Sequence, residues 1–209
     1  MYVELLIEDT SGKKAMDILL PKLTGVYVRT HQYKGIGRIP KGLKPKTDAT
    51  KRQLLDQLPK ILQGLGKVPA CKAVVIICDL DDRNKQHFLS ELDDVLKSCH
   101  PRPNTFFCLA VEEFEAWYLG DLDAVKKAYP HAKNNVLSAY ENDTICGTWE
   151  VLADAVYSGG SNALTQKGWQ AVGAQKSIWA ETISPHMNVE ENASPSFREM
   201  RDQLRGLAV

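Results

Sequence analysis

The chain has 209 residues, 44% of them hydrophobic and 25% charged, with 26 basic and 26 acidic side chains. That length suits one α/β domain, with or without a helical extension, and the balanced charge excludes any argument for nucleic-acid binding from pI alone. No apolar run nears the ~20 residues that cross a bilayer. Five scattered cysteines without a C-x-x-C pair argue for a reducing cytoplasm and against a disulfide framework or structural zinc.

Residues 2–7 (YVELLI) read as a short buried strand, with Glu4 expected at its surface or edge. The opening stretch has no basic leader, so no signal peptide is expected. Ser11 and Gly12 lead into a helix marked by Ala15, Ile18, Leu19 and Leu23. GVYVRT (25–30) alternates and is β-branched, which predicts a second strand. HQYKGIGRIPKGLKPK then reads as a long exposed loop. Leu54, Leu55, Leu58, Ile61, Leu62 and Leu65 restore the helical period, and Pro59 is expected to kink or divide that helix.

KAVVIIC (72–78) is the continuous apolar run of a central strand covered on both faces. Phe88, Leu89, Leu92, Val95, Leu96 and Cys99 form one helical stripe. TFFCLAV (105–111) is a fourth strand, and EEFEAWYLGD opens another helix. Four strands alternating with helices predict an α/β fold, a parallel sheet with helices on both faces. Beyond Asp121 the signals are helical, and the last helix is capped by Ser194 or Ser196, with Pro195 near its start, Glu199 after it and Gly206 at its end. The expected layout is a core over 1–121 with a helical extension over 122–209, packed together as one structural domain.

Charge is unevenly spread. From Arg29 to Arg52 eight Lys/Arg stand against one acid, a net +7; from Asp79 to Asp123 eleven acids stand against four bases, a net −7. Ligands of an open parallel sheet bind beyond the carboxyl ends of its strands. Acids fall at three such ends: Glu8 after the first strand, Asp79 and Asp81 after the third, and Glu112, Glu113 and Glu115 after the fourth. An extended CDLD puts Asp79 and Asp81 on one side, and Glu112 and Glu115, three apart, share a helix face. Oxygen ligands of this kind suit Mg²⁺ or Mn²⁺, which implies phosphoryl transfer or phosphodiester hydrolysis. Asp82 reads as the N-cap of the following helix.

His31, Gln32, Tyr33 and Lys34 follow the second strand at the same sheet edge. His31 is a candidate for substrate contact, and Lys34, Lys41, Lys44 and Lys46 suit a grip on a phosphate backbone. Arg198 either faces the site or decorates its helix. KGIG is far from a Walker A motif, so ATP binding is not supported. Trp117, Trp149, Trp169 and Trp179 are expected as core or interface anchors, and Cys78 as packing.

LLIEDTSGKKAMDILLPKL and VVIICDLDD, a glutamate after strand one and D-x-D after strand three, resemble the Toprim domain of topoisomerases, bacterial primases, OLD-family nucleases and small RNA-maturing nucleases. The resemblance spans roughly Met1 to Asp121. AVEEFEAWYLGD and SPSFREM further resemble a bacterial Toprim-like family often encoded beside AAA/SMC-like (OLD-type) ATPases in anti-phage loci. The resemblance implies Glu8 as metal ligand or general acid/base, Asp79 and Asp81 as metal ligands, and Glu115 as a further site acid with Glu112 as substitute. Two positions depart from it: Asp9 stands where Toprim has glycine, and Arg83 where the third aspartate falls. The expected function is a Mg²⁺- or Mn²⁺-dependent nuclease on DNA or RNA, an effector coupled to an ATPase. The alternatives are a non-catalytic metal-binding partner subunit of an ATPase, and a phosphatase or nucleotidyltransferase using the same acids.

Overall fold

The computed structural model describes residues 1–40 and 51–207. The expectations for Lys41, Lys44 and Lys46 lie outside the described residues. Four strands, β1 (Tyr2–Ile7), β2 (Val28–Gln32), β3 (Cys71–Asp79) and β4 (Thr105–Ala110), pair in parallel in the order β2-β1-β3-β4. The apolar run of β3 is continuous because both its faces are covered. Ala73, Val75 and Ile77 enter one core cluster, while Val74, Ile76 and Cys78 enter the other.

Helix α1 (Thr10–Leu23) starts where Asp9 accepts the Gly12 amide at 2.7 Å and the Ser11 hydroxyl. Asp9 itself is extended (φ −140°), a conformation open to any residue, so the position does not require glycine. Gly12 is needed for close approach, since a Cβ there would meet Ile7 Cγ2 at 2.9 Å. Helix α1 packs on one face of the sheet, and α2 (Leu54–Leu65) and α3 (Lys85–Lys97) on the other, through Leu54, Leu58, Leu62, Phe88 and Leu92. Burying each of these side chains stabilises the fold by about 1.5–3 kcal/mol relative to exposure.

Among the described residues the remaining α-helices are α4 (Glu115–Leu119), α5 (Leu122–Ala128), α6 (Asn134–Leu137), α7 (Thr148–Val156), α8 (Gly160–Thr165), α9 (Trp169–Ile183) and α10 (Pro195–Gly206). They join the face covered by α1, in one apolar cluster with Trp117, Trp179 and Phe197 at its centre. The α4 and α10 segments interlock. Trp117 Nε1 donates to Ser196 Oγ at 2.9 Å, Asn192 Nδ2 donates to the Trp117 carbonyl at 2.8 Å, and the Ala193 amide donates to the Gly120 carbonyl at 2.7 Å. The α/β class, the parallel sheet and the helical second half are as the sequence predicts.

Several local expectations are corrected. Strand β2 begins at Val28 and not Gly25, because the Val26 amide bends back to Thr24 Oγ1 at 3.2 Å before the chain joins the sheet. His31 and Gln32 therefore lie in the strand. Glu4 is buried in the central strand β1, where His31 Nε2 meets its Oε2 at 2.6 Å and Arg29 approaches to 3.9 Å. Pro59 does not divide α2. Asn84, not Asp82, caps α3 by accepting the His87 amide at 3.0 Å, and Ser194 caps α10.

Candidate functional site

From β1 the chain moves to β2 on one side, and from β3 to β4 on the other, so the sheet's switch point lies between β1 and β3. In open α/β sheets the crevice at that point takes ligands. Glu8 and Asp79 occupy its two carboxyl-end positions. They are joined directly, as the Asp79 amide donates to Glu8 Oε2 at 3.0 Å in the bend between β1 and α1.

Both carboxyls are held above their ordinary range. Burial raises Glu8 to about 7 against the pull of the Asp79 amide, and Asp81 and Asp9 add repulsion. Burial also pushes Asp79 well upward, followed by repulsion from Glu8, and Lys176 opposes both.

Lys176 is the member that the sequence reading missed. It comes from α9 and reaches Glu113 at 3.1 Å and Glu115 at 3.3 Å. Burial works against its charge, but Glu115, Glu113 and Asp79 outweigh it and hold the ammonium well above its usual range. Burial raises Glu113 to about 7 although Lys176 opposes it, and Glu113 Oε2 is buried without a hydrogen-bond partner. Glu115 is almost fully buried and raised by burial, again against Lys176. A signal for Lys176 did exist. Val172, Lys176, Trp179 and Ile183 recur at helical spacing, which places a lysine on an otherwise apolar stripe.

Asp81 and Glu112 face each other across an isolated bridge, the Asp81 amide donating to the Glu112 carbonyl at 2.8 Å. Both are left-handed, with φ of 51° and 60°. Strained non-glycine backbone of this kind persists where surrounding structure over-determines it, often at functional sites. The bend sends Asp81 to Arg83, 2.9 Å away, although it still feels Lys176. Glu112 does not share a helix face with Glu115, because it precedes α4. Its carboxylate instead accepts the Gly147 and Thr148 amides, each at 2.8 Å, and that of Cys146 at 3.2 Å, at the start of α7. Asp81, Asp82, Glu112, Glu113, Trp149 and Glu150 line a cleft of about 240 Å³.

The expected nucleic-acid contacts divide. Lys34 is exposed in the turn after β2, and that turn is tied to the site because the Gly35 amide donates to the Glu8 carbonyl at 3.0 Å. His31 is engaged with Glu4, and Arg198 donates to the Ala193 carbonyl at 2.7 Å beside its own helix.

The acids can hold a cation as a pair and not as a cage. Among the described residues, no three His, Cys, Asp or Glu side chains are gathered to hold a metal. Magnesium commonly takes one or two carboxylates plus waters and substrate phosphate, and Glu8 with Asp79 fits that mode. Asp79, Glu113 and Glu115 share the ammonium of Lys176, while Glu8 feels the Arg83 guanidinium, a surplus of negative charge suited to a divalent ion.

Fold and site together define an α/β protein with a carboxylate–lysine centre at the switch point of a four-stranded parallel sheet. The chain belongs to the family described as a domain of unknown function (DUF4276), whose model matches residues 7–205, a span that holds every residue of this centre. Comparison with curated proteins and with solved structures finds no match. Among the described residues no helix is long and apolar enough to cross a membrane.

Proposed function

We propose that this chain is a divalent-metal-dependent nuclease that hydrolyses phosphodiester bonds of DNA or RNA. The observation that carries this reading is the pairing of Glu8 with Asp79 at the switch point, both held above their ordinary range, first by burial and then by repulsion from neighbouring acids. Glu8 and Asp79 would hold Mg²⁺ or Mn²⁺, which polarises a phosphate and lowers the pKa of bound water. In the metal-free fold Glu8, raised to about 7, is partly protonated at neutral pH and would give up that proton on binding the ion. Lys176 orients Glu113 and Glu115, and the turn bearing Lys34 offers charge to the neighbouring backbone. The Toprim resemblance extends the proposal to an AAA/SMC-like ATPase partner and a role in phage defence.

A second reading, a non-catalytic partner subunit, draws on the engagement of Lys176, Arg83 and the α7 amides with the same acids. One assay separates the two. Purified protein with Mn²⁺ or Mg²⁺ should cut at least one of supercoiled plasmid, single-stranded DNA and structured RNA. Glu8→Gln and Asp79→Asn should abolish cutting with the fold retained, while Asp82→Asn should keep it. Intact substrates throughout, or unchanged rates in the first two variants, sink the nuclease reading.

A further inference from the structure

Along α9 the inward stripe Val172, Lys176, Trp179 and Ile183 extends one turn back to Trp169, three residues before Val172. Val172 and Trp179 are buried, yet Trp169 is 74% exposed, an uncommon state for so large an apolar ring. Its edge meets Trp149, with centroids 6.4 Å apart and planes at 67°. Trp149 lines the acidic cleft. Trp169 and Lys176 are seven residues apart on one helix face, about 10 Å along the axis. One helix thus carries the buried ammonium of the site and an exposed ring near its rim.

The cleft next to that ring is an acceptor. Glu113 Oε2 and Glu150 Oε2 are buried without a hydrogen-bond partner, and carboxyl oxygens accept hydrogen bonds. Such a floor takes N–H donors from a flat body. An unpaired nucleobase offers both a π-face and an amino edge, and cytosine's amino group is a recognised partner of Glu and Asp. In a duplex the faces are stacked and the pairing edges occupied.

We infer that Trp169 is a stacking platform for an unpaired, amino-bearing base, so that the preferred substrate is single-stranded or locally splayed nucleic acid. The choice of ligand class rests on the nuclease reading. Trp117 and Trp179 are fully buried and Trp149 is 6% exposed but lines the cleft, so the part of the quenching by a soluble ligand that is lost in Trp169→Ala reports Trp169.

The protein should be titrated with oligo-dC, oligo-dT and a blunt duplex of equal length, in chelator so that no metal chemistry intervenes. Quenching should be strongest with oligo-dC, weaker with oligo-dT and least with duplex. By anisotropy of labelled oligo-dC, Trp169→Ala should bind roughly 5- to 150-fold more weakly. Trp169→Tyr should keep most of the affinity, and all three proteins should melt together. Absence of quenching, an equal response to duplex, or full affinity in Trp169→Ala overturns the inference. Nuclease activity without quenching would overturn this inference alone. Quenching lost in Trp169→Ala without any activity would leave the platform standing and remove the nuclease reading.

Discussion

Glu8 has two tasks in this fold: it takes the Asp79 amide, and it stands beside a second carboxylate in a partly desolvated crevice. Its pKa, raised from 4.5 to about 7, means that the metal-free fold favours the protonated form. The stabilising contribution is therefore fully present below about pH 4.5 and lost as pH rises through about 7, at most about 3 kcal/mol. In chelator, melting temperature should fall between about pH 5 and pH 8, and Glu8→Gln should flatten that fall. Mn²⁺ should raise the melting temperature more at the higher pH, because ligands must be ionised to bind. Parallel curves with and without metal would contradict the pairing of Glu8 with a cation. Glu8 and Asp79 were legible in the sequence because strand ends follow from apolar periodicity. Lys176 was not assigned, because its relation to Glu115 exists only through the packing of α9 against the rest of the fold.

At the scale of elements, the strands were placed well wherever an apolar run continued, and less well where turn chemistry decided. The residues before β2 look like strand, but the Thr24 hydroxyl captures the Val26 amide. Glu112 looked like the first turn of a helix, yet its φ of 60° takes it out of α4 and turns its carboxylate to α7. Glu112→Ala should lower stability by about 1–2 kcal/mol through loss of that cap. Glu112→Gly loses the same cap but relieves the left-handed backbone, so it should be milder by up to about 1 kcal/mol in urea unfolding. A glycine variant less stable than the alanine one would show that this φ is not strained.

For the molecule as a whole, the AWYLG and SPSF segments that prompted the closer family resemblance have a packing role. Trp117 rests on Phe197 with centroids 5.7 Å apart, and a Cβ on Gly120 would stand 2.3 Å from Asn192 Oδ1. These contacts bind the last helix to the fourth strand's exit, and one apolar cluster runs from Val75 through Trp117 to Trp179 and Phe197. Residues 1–121 alone should therefore bind a hydrophobic dye and lack a cooperative melt, while the full chain should unfold in one transition. Independent cooperative melting of the fragment would mean that the second half is a separable unit. The sequence showed the order and class of the elements, but the extension's docking depends on interlocking side chains that no periodicity reveals.

Because α9 supplies the counter-charge, the order of synthesis matters. Even Glu115, the last of the acids, leaves the ribosome 61 residues before Lys176 does, several seconds at ordinary elongation rates. Through that interval the carboxylates have no lysine to gather around, and the face they belong to has no roof. A chain cut short between α4 and α9 carries every one of these acids and not the lysine that Glu113 and Glu115 pair with, so premature termination there releases a polypeptide with the acids and without the finished site.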